Sequence, residues 1–243
     1  MTSILPGNLG VIAAAGAAPP SAFANNGTTA TSSWNLAGQI TNGNRTITGA
    51  NFSTRNTSLG LGTKTQNGGK HYFEYVINRL ATTGSLIWAG VGFQISTTSG
   101  SSTPSGATDV VNPGQEPSSV AVSVGFLANS GVTNDFEVWN GGGQLQAVAT
   151  APVVGQVMGV ALDQSGGVRP YAIANFAVNN VWIGGSVGGG AFVVGTGSLA
   201  LTTPIYIICT VGFGSTATNG DVATLNNGSQ CTYAPPSGYT YWG

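Results

Sequence analysis

Seven acids, one histidine and two cysteines are the groups with which this 243-residue chain could do acid–base, nucleophilic or metal chemistry. The acids are Glu74, Asp109, Glu116, Asp135, Glu137, Asp163 and Asp221. Cleaving a glycosidic bond with retention needs two carboxyls about 5 Å apart on one face. Asp135 and Glu137, spaced i, i+2 in "NDFEVWN", are the pair that a strand would set side by side. Against this, solvated acids are ordinary on a short strand, and only Phe136 and Trp139 stand near enough to line a sugar cleft. "GGSVG" at 184 to 188 fits the G-x-S-x-G pattern of a nucleophile elbow. That elbow needs a strand-to-helix turn and a histidine later in the chain, whereas His71 lies far upstream and no helical pattern follows Ser186. In a chain with 39 glycines the match reads as chance. The "DQSGG" turn after Asp163 lacks the further oxygen ligands of a calcium loop, and one histidine with two distant cysteines offers nothing for zinc. Cys209 and Cys231, each in or beside an expected strand, could meet; the commoner case is a pair of reduced, partly buried thiols. No catalytic residue, cofactor or metal is expected.

The aromatics are the remaining resource. Of the five tryptophans, Trp34, Trp88, Trp139, Trp182 and Trp242, the second sits in an apolar run and reads as core. Trp139 in "EVWNGGG" and Trp182 in "NNVWIGG" each precede a glycine-rich turn. There a ring either plugs the end of the fold or stacks on a sugar or a partner chain. The chain closes on "CTYAPPSGYTYWG", and three aromatics in the last five residues are costly at a terminus unless something covers them. This ending reads as a strand followed by a segment laid back against the body.

Short apolar runs separated by Gly, Asn, Ser and Thr begin at Trp34 and have the spacing of an all-β sandwich or barrel. The pattern predicts strands over 46–53, 70–78, 85–95, 119–127, 134–140, 156–163, 171–176, 190–195, 204–213 and 221–226. No helix competes with them. "HYFEYVIN" is apolar on both faces, which predicts a central strand. Pro170 donates no ladder bond, which places the start of 171–176 at an edge or a bulge. The stretch 97–119 is a long loop of the kind that carries function or moves. Residues 1–33 are rich in Ala, Gly, Pro, Ser, Thr and Asn and cannot build a core, so they read as an extended arm on a single body spanning 34–243.

Charged residues make up only 5% of the chain, so hydroxyls and amides must cover its surface. Six scattered basic residues and a net charge of -1 give no patch for a phosphate backbone, so nucleic acid is not an expected partner. The opening run, broken by Pro6, Gly7 and Gly10, is too short for a membrane span and lacks the basic start of a signal peptide.

"GGKHYFEYVI", "AGVGF", "GQVMGVALD" and "TLNNGSQCTYAPPSGYTYW" together resemble, in order and spacing, the landmarks of SPRY domains. The resemblance runs from Gly69 to the C-terminus, with Gln156, Asn227 and the Asn179-Asn180 turn departing from the family's usual Asp, Phe and Asn-Gly. It implies a bent, jelly-roll-like antiparallel β-sandwich that binds partners through variable loops and has no shared catalytic apparatus. It also implies that the closing aromatics pack back on the sandwich. A SPRY-like module on a Gly/Ala/Pro arm is similar to bacteriophage head-decoration, head-fibre and tail-fibre proteins. That resemblance implies a non-enzymatic virion protein, made in the host cytoplasm, with capsid or tail subunits as partners. The alternative is an adhesin that binds a host-surface receptor or glycan through Trp139, Trp182 and the 97–119 loop. The arm offers Ile4, Leu5, Leu9, Val11, Ile12 and Phe23 as apolar anchors. Burying them contributes on the order of 10 kcal/mol before the ordering cost, so firm attachment calls for several arms acting together in a homo-oligomer, most simply a trimer.

Overall fold

A computed structural model describes residues 23–24, 40–43, 45–49, 57–66, 68–80, 86–93, 123–129, 134–140, 143–165, 172–190, 192–194, 205–212 and 220–243. They form two predominantly antiparallel sheets packed face to face. The seven-stranded sheet runs β1 (Phe23–Ala24), β4 (Thr57–Gln66), β14 (Ile205–Gly212), β6 (Leu86–Phe93), β7 (Ser123–Asn129), β8 (Asp135–Asn140) and β9 (Gly143–Val148). The other is nine-stranded: β12 (Val181–Trp182), β11 (Ala172–Val178), β10 (Val157–Asp163), β5 (Lys70–Arg79), β15 (Val222–Asn226), β3 (Thr46–Thr48) and β2 (Ile40–Thr41) in order, with β13 (Phe192–Val194) on β11 and β16 (Thr240–Tyr241) on β5. The all-β sandwich expected from the strand spacing is the fold observed.

Alternation explains which side chains meet between the sheets. In β14 the residues Ile205, Ile207, Cys209 and Val211 point one way, and all are fully buried. In β5 they are Phe73, Tyr75 and Ile77, and in its neighbour β10 they are Met158, Val160 and Leu162. Phe126 of β7 joins the two layers, stacking on Phe136 at 5.4 Å within its own sheet and on Phe176 of β11 at 5.1 Å in the other. Of the two cysteines, both free, Cys209 fills a core position as a small apolar side chain.

The β5 strand is central, as its two apolar faces predict, with β10 along one edge and β15 followed by β16 along the other. The edge or bulge expected at the start of 171–176 falls on Pro170 and Tyr171. Pro170 lies outside the described residues, β11 begins at Ala172, and Ile173 and Ala174 are paired on both sides, by β13 and β10. Asn179 and Asn180, at φ 48° and 64°, turn β11 into β12 as a two-residue hairpin of the type that Asn tolerates. Among the described residues no helix is long and apolar enough to cross a membrane.

Candidate functional site

The chain's last residues are held by a buried acid. Tyr72, Glu74 and Val76 of β5 face away from the core, yet Tyr72 and Glu74 are 0% exposed. What covers them is the excursion from β15 to β16, which passes through a 3-10 turn at Gly228–Gln230. The Glu74 carboxylate accepts from the Tyr72 hydroxyl at 2.9 Å and from the backbone N–H groups of Thr232 and Tyr233 at 2.6 and 2.8 Å. A buried carboxylate is stable only when so supplied with donors. Burial and the neighbouring Glu74 charge push the Tyr72 hydroxyl far up from its ordinary value, and the same two causes push up the Cys231 thiol. After this clasp β16 runs parallel to the start of β5, and Trp242, 0% exposed, packs edge-on against Phe73 at 5.4 Å and His71 at 5.8 Å. The laid-back tail expected from the sequence is thus a core element.

At the same end of β5, Lys70 pairs with Asp163 at 2.9 Å and lies 5.5 Å from the Tyr239 ring centroid. Burial opposes ionisation of Asp163, but hydrogen bonds from Ser165 and Lys70 outweigh it and hold the carboxyl below its ordinary value. His71 Nε2 lies 2.7 Å from the Gly68 carbonyl, and Gln164, 6% exposed, accepts from the Gly68 N–H and donates its own N–H to Gly69. Each polar group here closes the turn or the tail.

The carboxylate pair weighed for glycoside cleavage sits on β8. Phe136 and Val138 point into the core, which leaves Asp135, Glu137 and Trp139 on the opposite face. Glu137 is only 2% exposed and accepts from Asn129 Nδ2 at 3.2 Å and from Trp139 Nε1 at 2.7 Å. Trp139 is therefore a donor to a buried acid. Trp182, half-buried, leans its ring on Tyr72 with centroids 6.2 Å apart. The two tryptophans lie in different sheets, and the 97–119 loop lies outside the described residues.

"GGSVG" falls in a run of turns over 183–190, with Gly184, Gly185 and Gly188 at φ +84°, +86° and +93° and no α-helix among the described residues that follow Ser186. The Gly188 N–H donates to Asn175 Oδ1 at 2.8 Å. A Cβ at Gly184 would stand 2.4 Å from the Gly190 nitrogen, so close approach of two backbones explains the glycine there. Among the described residues no three of His, Cys, Asp and Glu are grouped to hold a metal. Of the arm anchors, Phe23 pairs with Gly62 at the edge of β4, and Ala24 with Leu61. Ile4, Leu5, Leu9, Val11 and Ile12 lie outside the described residues, as do Trp34 and the Trp88 side chain.

No family model matches the chain, and no curated protein is similar to it. Solved structures are similar. The TRIM65 PSpry domain is 14% identical with a TM-score of 0.44 over 85% of this chain and 89% of that one. The SPRY domain of human HERC1 is 12% identical at 0.43, over 77% of this chain and 90% of its own. A β-glucanase of Bacillus licheniformis is 10% identical at 0.40, over 79% and 81%. The sandwich itself rests on the strand pairing of the chain.

Proposed function

We propose that the chain is a non-enzymatic binding and assembly protein: a structural component of a bacteriophage virion whose sandwich is displayed and whose N-terminal arm attaches it to capsid or tail subunits. The observation that carries the non-enzymatic part is the use made of the acids. Glu74, Glu137 and Asp163, the three whose hydrogen-bond partners are described above, hold a tail, a strand face and a turn. A general acid or base needs a carboxyl that can reach a substrate proton. The attachment part is supported by composition: a surface with few charges has little colloidal repulsion and suits a fixed place in an assembly. The pairing of Phe23 and Ala24 with β4 gives the arm a defined point of departure at a sheet edge. Mass spectrometry of density-purified phage particles made in cells that express the chain tests this reading. The chain should be recovered with the particles at a fixed ratio to the main capsid or tail protein. Its absence from particles, or glycoside hydrolysis by the purified chain that Glu137→Gln abolishes, would overturn it.

A further inference from the structure

Asn followed by Gly occurs six times in the chain, at 26–27, 42–43, 67–68, 140–141, 219–220 and 227–228. Such a pair can react with itself: the glycine amide nitrogen attacks the asparagine side-chain carbon, and a glycine, having no side chain, leaves that approach open. The sequence treats the six alike, and the structure separates them. Asn227 is 0% exposed at the start of the 3-10 turn. Gly220, whose nitrogen would attack Asn219, is buried against the backbone of Gly49. The Gly68 N–H, which would attack Asn67, donates to Gln164 Oε1 at 3.3 Å. The Asn140 carboxamide oxygen is buried at the end of β8. Asn26 and Gly27 lie outside the described residues.

Asn42–Gly43 differs from all of these. It lies in the loop that joins β2 to β3, where Thr41 pairs with Thr46 and the Arg45 N–H closes the loop on the Thr41 carbonyl at 3.0 Å. Both residues are exposed, at φ 55° and 65°, a conformation that Asn and Gly adopt with least strain, so the turn itself selects the reactive pair. Beyond its chain neighbours, no described atom lies within 4 Å of the place of a Cβ on Gly43. The Asn42 carboxamide donates to Thr46 Oγ1 at 3.4 Å, a long bond that restrains it weakly. We propose that Asn42 is a self-modification site, which converts to aspartate and isoaspartate in the folded protein while Asn67, Asn140, Asn219 and Asn227 are protected.

Water is the only co-reactant. The Gly43 amide gives its proton to solvent base and its nitrogen bonds to Cγ of Asn42; the Cγ–Nδ2 bond breaks, and Nδ2 takes up a proton and leaves as ammonia. The cyclic imide then adds water: hydroxyl bonds to one of its two carbonyl carbons, the bond from that carbon to the ring nitrogen breaks, and the nitrogen takes the proton. Opening at Cγ leaves aspartate with the ordinary main chain. Opening at the main-chain carbonyl carbon leaves isoaspartate, whose main chain runs through the side chain and is longer by one methylene between Thr41 and Gly43, next to the Thr41–Thr46 pair at the end of the sheet. Either product adds one carboxylate to a chain of net charge -1. The rate follows the free energy of opening that brings nitrogen and carbon together, which is small in an exposed loop and approaches that of unfolding for a buried group. The inference goes beyond the virion reading and holds without it, since it needs neither the arm nor a particle.

Peptide mapping by mass spectrometry tests it on the 243-residue chain, held folded in mildly alkaline buffer at body temperature beside a sample unfolded in urea. Each conversion is read as the mass gain of acid over amide at its own asparagine. In the folded chain Asn42 should convert faster than Asn67 and Asn140, and at least about tenfold faster than Asn219 and Asn227. In urea the five should converge to within about threefold, because the fold and not the neighbouring sequence separates them. Enzymatic methylation of isoaspartate gives a second readout, which should label the β2–β3 peptide of the aged, folded chain. Asn42→Gln, whose longer side chain closes its ring far more slowly, should keep the β-rich circular dichroism and lose both signals from that peptide. Conversion of Asn42 no faster than that of the other four in the folded chain, or one of those four converting first, overturns the proposal. So does a signal that persists in the β2–β3 peptide of Asn42→Gln, which would assign the reaction to Asn44.

Discussion

Glu74→Gln should release the C-terminal segment. The carboxylate holds three donors, and hydrogen bonds to a charged group each contribute about 1.5–3 kcal/mol. Gln keeps one acceptor oxygen and turns the other into an N–H₂ group that faces a donor at hydrogen-bond distance. One charged bond is lost and one donor is left without an acceptor. Together these cost about 2–4 kcal/mol, which for a chain of this size lowers Tm by about 4–16 °C. Tyr72→Phe removes one donor and leaves the two backbone bonds, so its cost is that of a single bond to the charged group, about 1.5–3 kcal/mol.

Thermal melting gives the global cost, and Cys231 reports locally. Its thiol is half-buried, bonded at 3.4 Å to the Asn226 carbonyl, and held above its ordinary pKa first by burial and then by Glu74. Removing that charge and loosening the segment both favour the thiolate. One thiol per folded Glu74→Gln molecule should therefore react faster with a thiol reagent, while Cys209, fully buried, stays inert. A variant within about 0.5 kcal/mol of the unaltered protein, with unchanged labelling, would refute the claim that Glu74 holds the tail.

Three further outcomes are expected. Trp139→Phe removes the indole donor to the buried Glu137 carboxylate and should cost about 1.5–3 kcal/mol in urea denaturation; a neutral result would free Trp139 for a binding role. Asp163 has a folded pKa below its unfolded one, so its contribution is complete above about pH 5 and fades as pH falls through the lowered value. The Tm gap between the unaltered protein and Asp163→Asn should accordingly close toward about pH 2. Gly184→Ala meets both a positive φ and the Gly190 backbone at 2.4 Å, and should cost about 2 kcal/mol or more, whereas Gly185→Ala, with the φ alone and open space around it, should cost about 1 kcal/mol.

The strands that were legible are those whose own alternation buries one face or both, such as "HYFEYVIN" and "IYIICTVG". β4 and β9 were missed because "TSLGLGTKTQ" and "GQLQAV" carry few β-branched or aromatic residues. They are strands because β14 and β8 supply a ladder to pair with, which no local pattern announces. The clasp was hidden for a similar reason. Glu74 between Phe73 and Tyr75 signals a buried acid that needs donors, but those donors are backbone groups 158 and 159 residues away. The packed tail was legible, since a terminus rich in Tyr and Trp has to find cover. The roles of Trp139 and Trp182 were not, because a tryptophan before a glycine turn reads the same whether its ring serves a neighbour or a ligand.

Deleting residues 2–22, which leaves the Phe23–Ala24 pairing with β4 in place, puts the attachment claim to its most direct test. The truncated and unaltered chains would be supplied in equal amounts during particle assembly and their copy number counted on purified virions. The truncated chain should fold with the same β-rich circular dichroism and melting temperature yet fall at least about tenfold in occupancy, because each lost arm removes anchors that act together. Incorporation of the truncated chain at the normal level would contradict the account and move the attachment surface to the sandwich.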